Sequence, residues 1–334
     1  MPAYSSLDTN LSKIVSRAEG CIFGQFAGDA LGSLVEFESP ESILMKYPNG
    51  ISELKNGGTW GTLAGQPTDD SEMALALVRT LLKHDTYNAQ ASRQAYQDWL
   101  QSGPFDVGST TSRALLHGEP DPKSQANGSM MRISPLGIFG ALYDLEQVAD
   151  WSRQDAMLTH PNPICVQTST LYTMAIAHTI HTGCEAQELY DKIKAWAIAM
   201  DVDSSVANII NQAIYSPPKD YMIHMGWVLI AFGNALWQLL HAANTEHAVC
   251  DTVMRGGDTD TNAAICGALL GAVYGRENIP QQWIDCILNC RPAYGQPGVE
   301  RPRPQEFWPV EAPLLAHQLV LSGLGKTSQS PNQL

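Results

Sequence analysis

Apolar residues recur every three to four positions over long stretches of this chain, while alternating β-branched runs are few. Met73, Leu77, Val78 and Leu81 form one stripe; Ile193, Trp196, Ala197 and Met200 form a second; Val228, Phe232, Ala235, Leu236 and Leu239 form a third. That period is the repeat of one helical face, and Ala and Leu, which dominate these stretches, both favour helix. The pattern predicts a mainly or wholly α-helical globule. Gly- and Pro-rich connections interrupt it at residues 56–67, 102–109, 117–128 and 216–220, and residues 291–313 are Pro-rich. No break in composition divides the chain, and no solenoid-type repeat appears. Residues 1–334 are therefore expected to form one domain, with a core over about 18–315 and a flexible tail over 325–334.

Composition narrows the class. With 44% hydrophobic and 16% charged residues, the 334-residue chain can bury a sizeable core. A net charge of -14 leaves no excess of Lys or Arg to displace counterions from a nucleic-acid backbone. A phosphate-bearing small ligand is not excluded, since a few donors or a metal ion can hold it. The seven cysteines are scattered, with no CxxC or Cys/His zinc spacing, which points to reduced thiols in a reducing compartment. The N-terminus lacks an apolar stretch suited to a signal peptide, and no long uncharged apolar run occurs. A soluble, cytoplasmic protein without a membrane partner is expected.

Two acidic clusters carry candidate chemistry. Thr68, Asp69 and Asp70 stand before the amphipathic run SEMALALVRTLL, where ordinary helix capping and the helix dipole explain such residues in isolation. The second cluster is more informative: Gly256 and Gly257 precede Asp258, Thr259, Asp260 and Thr261, and a run rich in Ala and Gly follows. Capping accounts for one Asp there, but hardly for two acids with two hydroxyls. Four carboxylates brought together repel one another unless cations compensate. Asp and Thr oxygens without His or Cys are hard ligands, suited to Mg²⁺ or Mn²⁺ rather than Zn²⁺. Two such ions can hold vicinal hydroxyls and position a water.

Other segments leave two readings open. Gly20, Gly24, Gly28 and Gly32 recur at four-residue intervals, which on a helix gives one face for close packing. Asp29, among them, is read as a structural or capping residue. Glu36 follows that face, either as an acid/base group or ligand at a cleft mouth or as a solvated acid. Asn127 and Gly128 open a turn before an apolar run, as an ordinary turn or a phosphate-cradling loop. Arg132 is read as an anion binder or the partner of an acid, and His160, in a Pro-rich turn, as a structural residue or a pocket group. Trp227 lies in an apolar stretch, where a core aromatic is the commoner role and base stacking the alternative.

Taken together, GDALGSLVEF, TDDSEMALAL, NGSMMRISPLG, THPNP and GGDTDTNAAICGALLGA resemble the ADP-ribosylglycohydrolase family, in the family's order and over roughly residues 20–275. The resemblance implies a compact, all-α, mainly orthogonal multi-helix bundle with two Mg²⁺ or Mn²⁺ ions at the base of a cleft. It implies Thr68, Asp69, Asp70, Asp258, Asp260 and Thr261 as metal ligands, and Glu36, Asp70 and Asp258 as the catalytic acids. Asn127, Gly128, Ser129, Met130, His160 and Trp227 would contact substrate. The implied reaction removes ADP-ribose from an ADP-ribosylated protein or small molecule, at the anomeric carbon of the terminal ribose, by a monomeric enzyme. Nucleic acid would enter only as an ADP-ribosylated substrate.

Two departures bear on the leaving group. Many bacterial members carry Tyr where this chain has Trp227, and arginine-directed ones can place an acid just upstream of the Asn-Gly loop, where this chain has Ser124, with Asp121 and Glu119 further back. ADP-ribosylarginine is the favoured substrate, with serine-linked, acyl or nucleobase linkages as alternatives. A non-catalytic ADP-ribose-binding relative and a metal-dependent phosphoesterase are the competing functional classes.

Overall fold

The computed structural model describes residues 3–327 and forms an all-α fold. In chain order its helices are α1 (Ala3–Gly32), α2 (Pro40–Lys46), α3 (Asp69–His84), α4 (Ala89–Gln101), α5 (Ser109–His117), α6 (Ser134–Phe139), α7 (Leu145–Met157) and α8 (Pro163–Thr182). They continue as α9 (Ala186–Ala199), α10 (Ser204–Gln212), α11 (Val228–His241), α12 (Thr245–Met254), α13 (Thr259–Tyr274), α14 (Gln281–Asn289) and α15 (Ala312–Thr327). Among the described residues there is no strand, only isolated bridges joining Gly57 to Thr62 and Ala126 to Trp227. No described helix is long and apolar enough to cross a membrane.

The centre of the fold is the pair α1 and α13, whose small residues meet backbone to backbone. A Cβ added at Gly20 would overlap the carbonyl of Gly271; one at Gly24 that of Gly267; one at Gly28 that of Ala263; and one at Gly32 the backbone of Asp260. Descending positions on α13 thus face ascending positions on α1, so the helices are antiparallel. Around them Phe23, Phe26, Leu31, Ile265 and Leu269 are buried on the remaining faces, as expected for helices surrounded by protein. α8, α11, α12 and α15 pack around this pair. The stripes on α3 and α11 face inward, with Leu77, Leu81, Phe232 and Leu236 buried.

Conventional capping starts several peripheral helices: the side chains of Ser39, Asn88, Asn162, Asp203 and Asn244 each accept a backbone N–H of the first turn. α3 and α13 start differently. Thr68 and Asp258 occupy their N-cap positions without making a side-chain cap. Their oxygens are left to face the space between the two helix starts.

The Pro-rich segment before α15 folds back onto α3. Arg303 donates from Nε and Nη2 to the two carboxylate oxygens of Glu72, both at 2.8 Å, and Trp99 Nε1 donates to Glu72 at 2.8 Å. This forked pair is buried. The core is wider than about 18–315, since Ile14, Leu319 and Val320 are buried where α15 packs on α1. α15 also runs on to Thr327, so residues 325–327 of the expected tail are helical. Residues 328–334 lie outside the described residues.

A methyl group at the α1–α13 contact has no flexible side chain to displace. Gly24→Ala and Gly267→Ala are each expected to lower unfolding free energy by at least about 3 kcal/mol, the upper range for an overpacked core. Urea denaturation measures this; stability equal to that of the parent chain would refute the close-contact argument.

Candidate metal centre and cleft

The antiparallel register sets the C-terminal end of α1 beside the start of α13. Gly256 and Gly257, with φ of 73° and 78°, turn the chain into α13. Phe37 N–H donates to Gly257 O at 2.8 Å, and Gly257 N–H to Glu38 O at 3.0 Å. Asp29 comes from α1, Glu36 from the turn after it, Asp258 and Asp260 from the start of α13, and Asp69 and Asp70 from the start of α3. Carboxylate oxygens of Asp29, Asp70 and Asp260 lie within 4.8 Å of one another, as do those of Glu36, Asp258 and Asp260. Asp260 belongs to both groups.

Asp29 has a structural task within this cluster. Its carboxylate accepts from Thr68 N–H at 3.0 Å, Ser71 N–H at 3.1 Å and Thr68 Oγ1 at 2.9 Å. It thereby caps α3 from another helix and aims the Thr68 hydroxyl, which also lies 3.1 Å from Asp70 Oδ2. Thr261 Oγ1 donates to Asp70 at 3.3 Å, and Asn127 Nδ2 to Asp258 at 2.7 Å. Asp70 Oδ1 and Asp260 Oδ2 are buried with no hydrogen-bond partner. Orphaned buried carboxylate oxygens are costly.

The residues fit a pair of hard divalent cations. All donors are Asp, Glu or Thr oxygens, and among the described residues two of these carboxylate oxygens are left open and no Lys or Arg lines the adjoining cleft. Arg132, one sequence candidate for compensating charge, is instead paired with Asp155 at 3.0 Å in a fully buried contact. Burial is the leading cause that pushes the acids up: Asp29 to about 6, Glu36 to about 8, and Asp69, Asp70, Asp258 and Asp260 also upward. Neighbouring carboxylates add to it at Glu36, Asp69, Asp70 and Asp260. Fields of the α3 and α13 N-termini favour the anionic forms but do not outweigh these effects.

Above the acids lies a cleft of about 280 Å³, lined by Glu36, Asp69, Asp106, Asn127, Gly128 and His160 among others. Glu36 is only 4% exposed and accepts from Trp60 Nε1 at 2.5 Å, so it is not a solvated acid. A second hollow of about 640 Å³ adjoins it, sharing Ser109, Thr110, Ala126, Met225 and Gly226 and reaching Trp227. The two walls are tied together: Asn127 N–H donates to Gly226 O at 3.0 Å and Val228 N–H to Gln125 O at 2.9 Å.

Some sequence candidates fall elsewhere. Ser129 and Met130 are buried away from the cleft, Ser129 beside Ser169 at 3.1 Å. Met131 lines the cleft instead. The segment coils tightly, with Met130 and Met131 N–H both returning to Asn127 O, so neighbours point to opposite sides. Trp227 is not a core aromatic: it is 37% exposed at the start of α11, its Nε1 donating to Gln125 at 2.7 Å. Sequence reading missed Asp106, a cleft carboxylate raised to about 6 chiefly by burial. Its only signal was the Gly- and Pro-rich loop that carries it.

Comparison with known proteins accords with this geometry. The ADP-ribosylglycohydrolase family model matches residues 10–304. The chain belongs to the ADP-ribosylglycohydrolase family. It is 31% identical over 285 residues to the ADP-ribosyl-(dinitrogen reductase) glycohydrolase of Rhodospirillum rubrum, covering 80% of this chain and 89% of that one. It is 28% identical over 292 residues to the ADP-ribosylarginine hydrolase Tri1 of Pseudomonas putida, covering 82% and 74% respectively. A solved structure titled an ADP-ribosylglycohydrolase-related protein complex shares the fold, with a TM-score of 0.76 and 22% identity over 93% of this chain and 99% of that one.

Carboxyls raised in the folded state hold protons that the unfolded chain releases, so stability falls as pH rises through that interval. Without divalent cations, melting temperature is expected to fall from about pH 4 to pH 8, the interval between ordinary carboxyl values and the highest of those above. Mn²⁺ or Mg²⁺ at about 100 times its Kd is expected to add about 2.7 kcal/mol, with the larger gain in melting temperature at pH 8. Equal melting temperatures across this range in the chelated protein would contradict the crowding of acids.

Proposed function

We propose that this protein is a hydrolase that releases ADP-ribose by cleaving the bond at the anomeric carbon of the terminal ribose, using two Mg²⁺ or Mn²⁺ ions, with ADP-ribosylarginine favoured. The observation that carries the reading is the pair of acid groups sharing Asp260 beneath the cleft, in a member of this family. Thr68, Asp69, Asp70, Asp258, Asp260 and Thr261 would hold the ions, with Asp29 orienting Thr68 as outer partners of metal ligands do. When bound, the ions supply positive charge that compensates the acids and orders the vicinal ribose hydroxyls.

The remaining work falls to the chain's own groups. Cleavage develops positive charge at the anomeric carbon, and the surrounding carboxylates, Asp70 and Asp258 among them, stabilise it from fixed positions. Glu36, in the cleft wall and held by Trp60, would give a proton to the leaving group and take one from the attacking water. Asp106 supports the arginine preference. A carboxylate in the cleft matches a guanidinium better than a neutral seryl oxygen, and it stands in for the acid missing upstream of Asn127. The buried, unpaired thiols suit a reducing compartment, and we place this single-domain, monomeric enzyme in the cytoplasm.

The test is release of free ADP-ribose from arginine-, serine- and nucleobase-linked substrates, with and without metal. The intact chain with Mg²⁺ or Mn²⁺ is expected to cleave, and the Asp258→Asn, Asp260→Asn double variant to be inactive. Tight ADP-ribose binding with no linkage cleaved would turn the reading towards a binding protein; release of AMP or phosphate, towards a phosphoesterase. Asp106→Asn is expected to lower kcat/KM for the arginine linkage by about 10- to 100-fold, the worth of a charged hydrogen bond. The serine linkage should change much less, and an equal loss on both would remove the argument for arginine.

A further inference from the structure

Arg132 is fully buried 23 residues before its acid partner in the chain, and its donors are closely accounted for. Nε donates to Asp155 Oδ1 at 3.0 Å, Nη2 to Asp155 O at 3.0 Å, and Nη1 to Gly128 O at 3.2 Å and to Thr159 Oγ1 at 2.8 Å. Tyr96 closes the other side of the carboxylate, its hydroxyl donating to Asp155 Oδ2 at 2.8 Å while its ring stacks on the guanidinium. Thr159 Oγ1 lies 2.7 Å from His160 Nδ1.

These contacts fix a proton. A guanidinium only donates, so Thr159 Oγ1 accepts from Arg132. The Thr159 hydroxyl proton, in a fully buried side chain, then has one acceptor among the described residues, His160 Nδ1. Nδ1 must therefore offer its lone pair, and the ring proton resides on Nε2. His160 lines the cleft, and its Nε2 has no partner within the described protein. The ring packs against the bare backbone of Gly128, its Cε1 and Nε2 2.9 and 3.1 Å from where a Cβ there would stand, so a side chain at that position would displace it. The same Arg132 nitrogen holds the Gly128 carbonyl, so loop and ring are set by one group.

We propose that Arg132 and Thr159 act as positioning residues that lock His160 as the neutral Nε2–H tautomer, a one-proton donor aimed into the cleft at an acceptor oxygen of the ligand. The ring is thus a recognition group and takes no part in proton transfer. Burial, and then the Arg132 charge, push its ionisation down to about 3. The charged groups around it are Arg132 on one side, balanced by Asp155, and the cleft acids Glu36, Asp69, Asp106 and Asp258 on the other. The proton's location is independent of the proposed function; only the identity of the acceptor, an oxygen of ADP-ribose, rests on it.

Nitrogen-15 spectra of the full chain labelled at histidine read this directly, with the His160 signals identified by their loss in His160→Gln. The expected result is an unprotonated Nδ1 and a protonated Nε2, unchanged from about pH 5 to pH 8. Thr159→Val should disturb this tautomer and weaken ADP-ribose binding by about fivefold or more, about 1 kcal/mol for one hydrogen bond. Thr159→Ser, which keeps the hydroxyl, should restore both. A protonated Nδ1 in the parent chain, or titration near the ordinary histidine value, overturns the proposal. So does a Thr159→Val chain with unchanged tautomer and affinity. A parent chain that binds no ADP-ribose instead overturns the functional reading, and the nitrogen signals still decide this one.

Discussion

Two helices touch through their backbones at the centre of this protein, and the chemistry follows from how closely they do so. Gly24 against Gly267 and Gly20 against Gly271 leave no room for a single carbon between α1 and α13. Dispersion contacts along such a seam are individually weak and collectively large. Their more important effect is on register, since a one-residue slip would place a side chain where only hydrogen fits. Fixed register at one end of the seam becomes fixed spacing at the other, where Asp29 and Glu36 meet Asp258 and Asp260. Ångström-level placement of ligands on rigid elements is what a metal site requires.

The acids are arranged against their own electrostatics. Burial and mutual repulsion raise them, and the helix termini beneath them relieve only part of the cost. The usual relief, an arginine or lysine among the carboxylates, is absent from the cleft wall. The buried arginines go elsewhere: Arg132 to Asp155 and Arg303 to Glu72. Committing the basic residues to structural pairs leaves an acidic hollow whose charge is relieved by protons or by an outside cation rather than by a side chain, and it is consistent with the overall charge of -14.

Helical periodicity made the fold class legible, because the stripes on α3 and α11 repeat often enough to be read without knowing what they pack against. The four-residue glycine spacing announced a close-packed face but not its partner, which lies some 240 positions away in α13. The DTDT cluster was legible because capping cannot use so many oxygens at one helix start, whereas TDD, which capping explains by itself, gained meaning only from the combination of motifs. Asp106 was not, since one acid in a loop carries no period and its meaning is entirely spatial. Ser129 and Met130 misled for a related reason: a linear motif does not reveal which residues a tight coil turns inward. Arg132 offered two readings, and only three dimensions could choose between them.

The forked pair between Glu72 and Arg303, 231 residues apart, also orders events in time. α3 carries Asp69 and Asp70 in the same first turn as Glu72, and the segment that latches it is made 231 residues later. The α1–α13 seam likewise waits for residues beyond 259. Contacts so distant in sequence form late and slowly. A nascent chain would therefore expose separate acids with little hold on a cation, and the complete cluster would come into being only after α13 has met α1. Any binding that needs all three helix starts at once therefore reports that they have assembled.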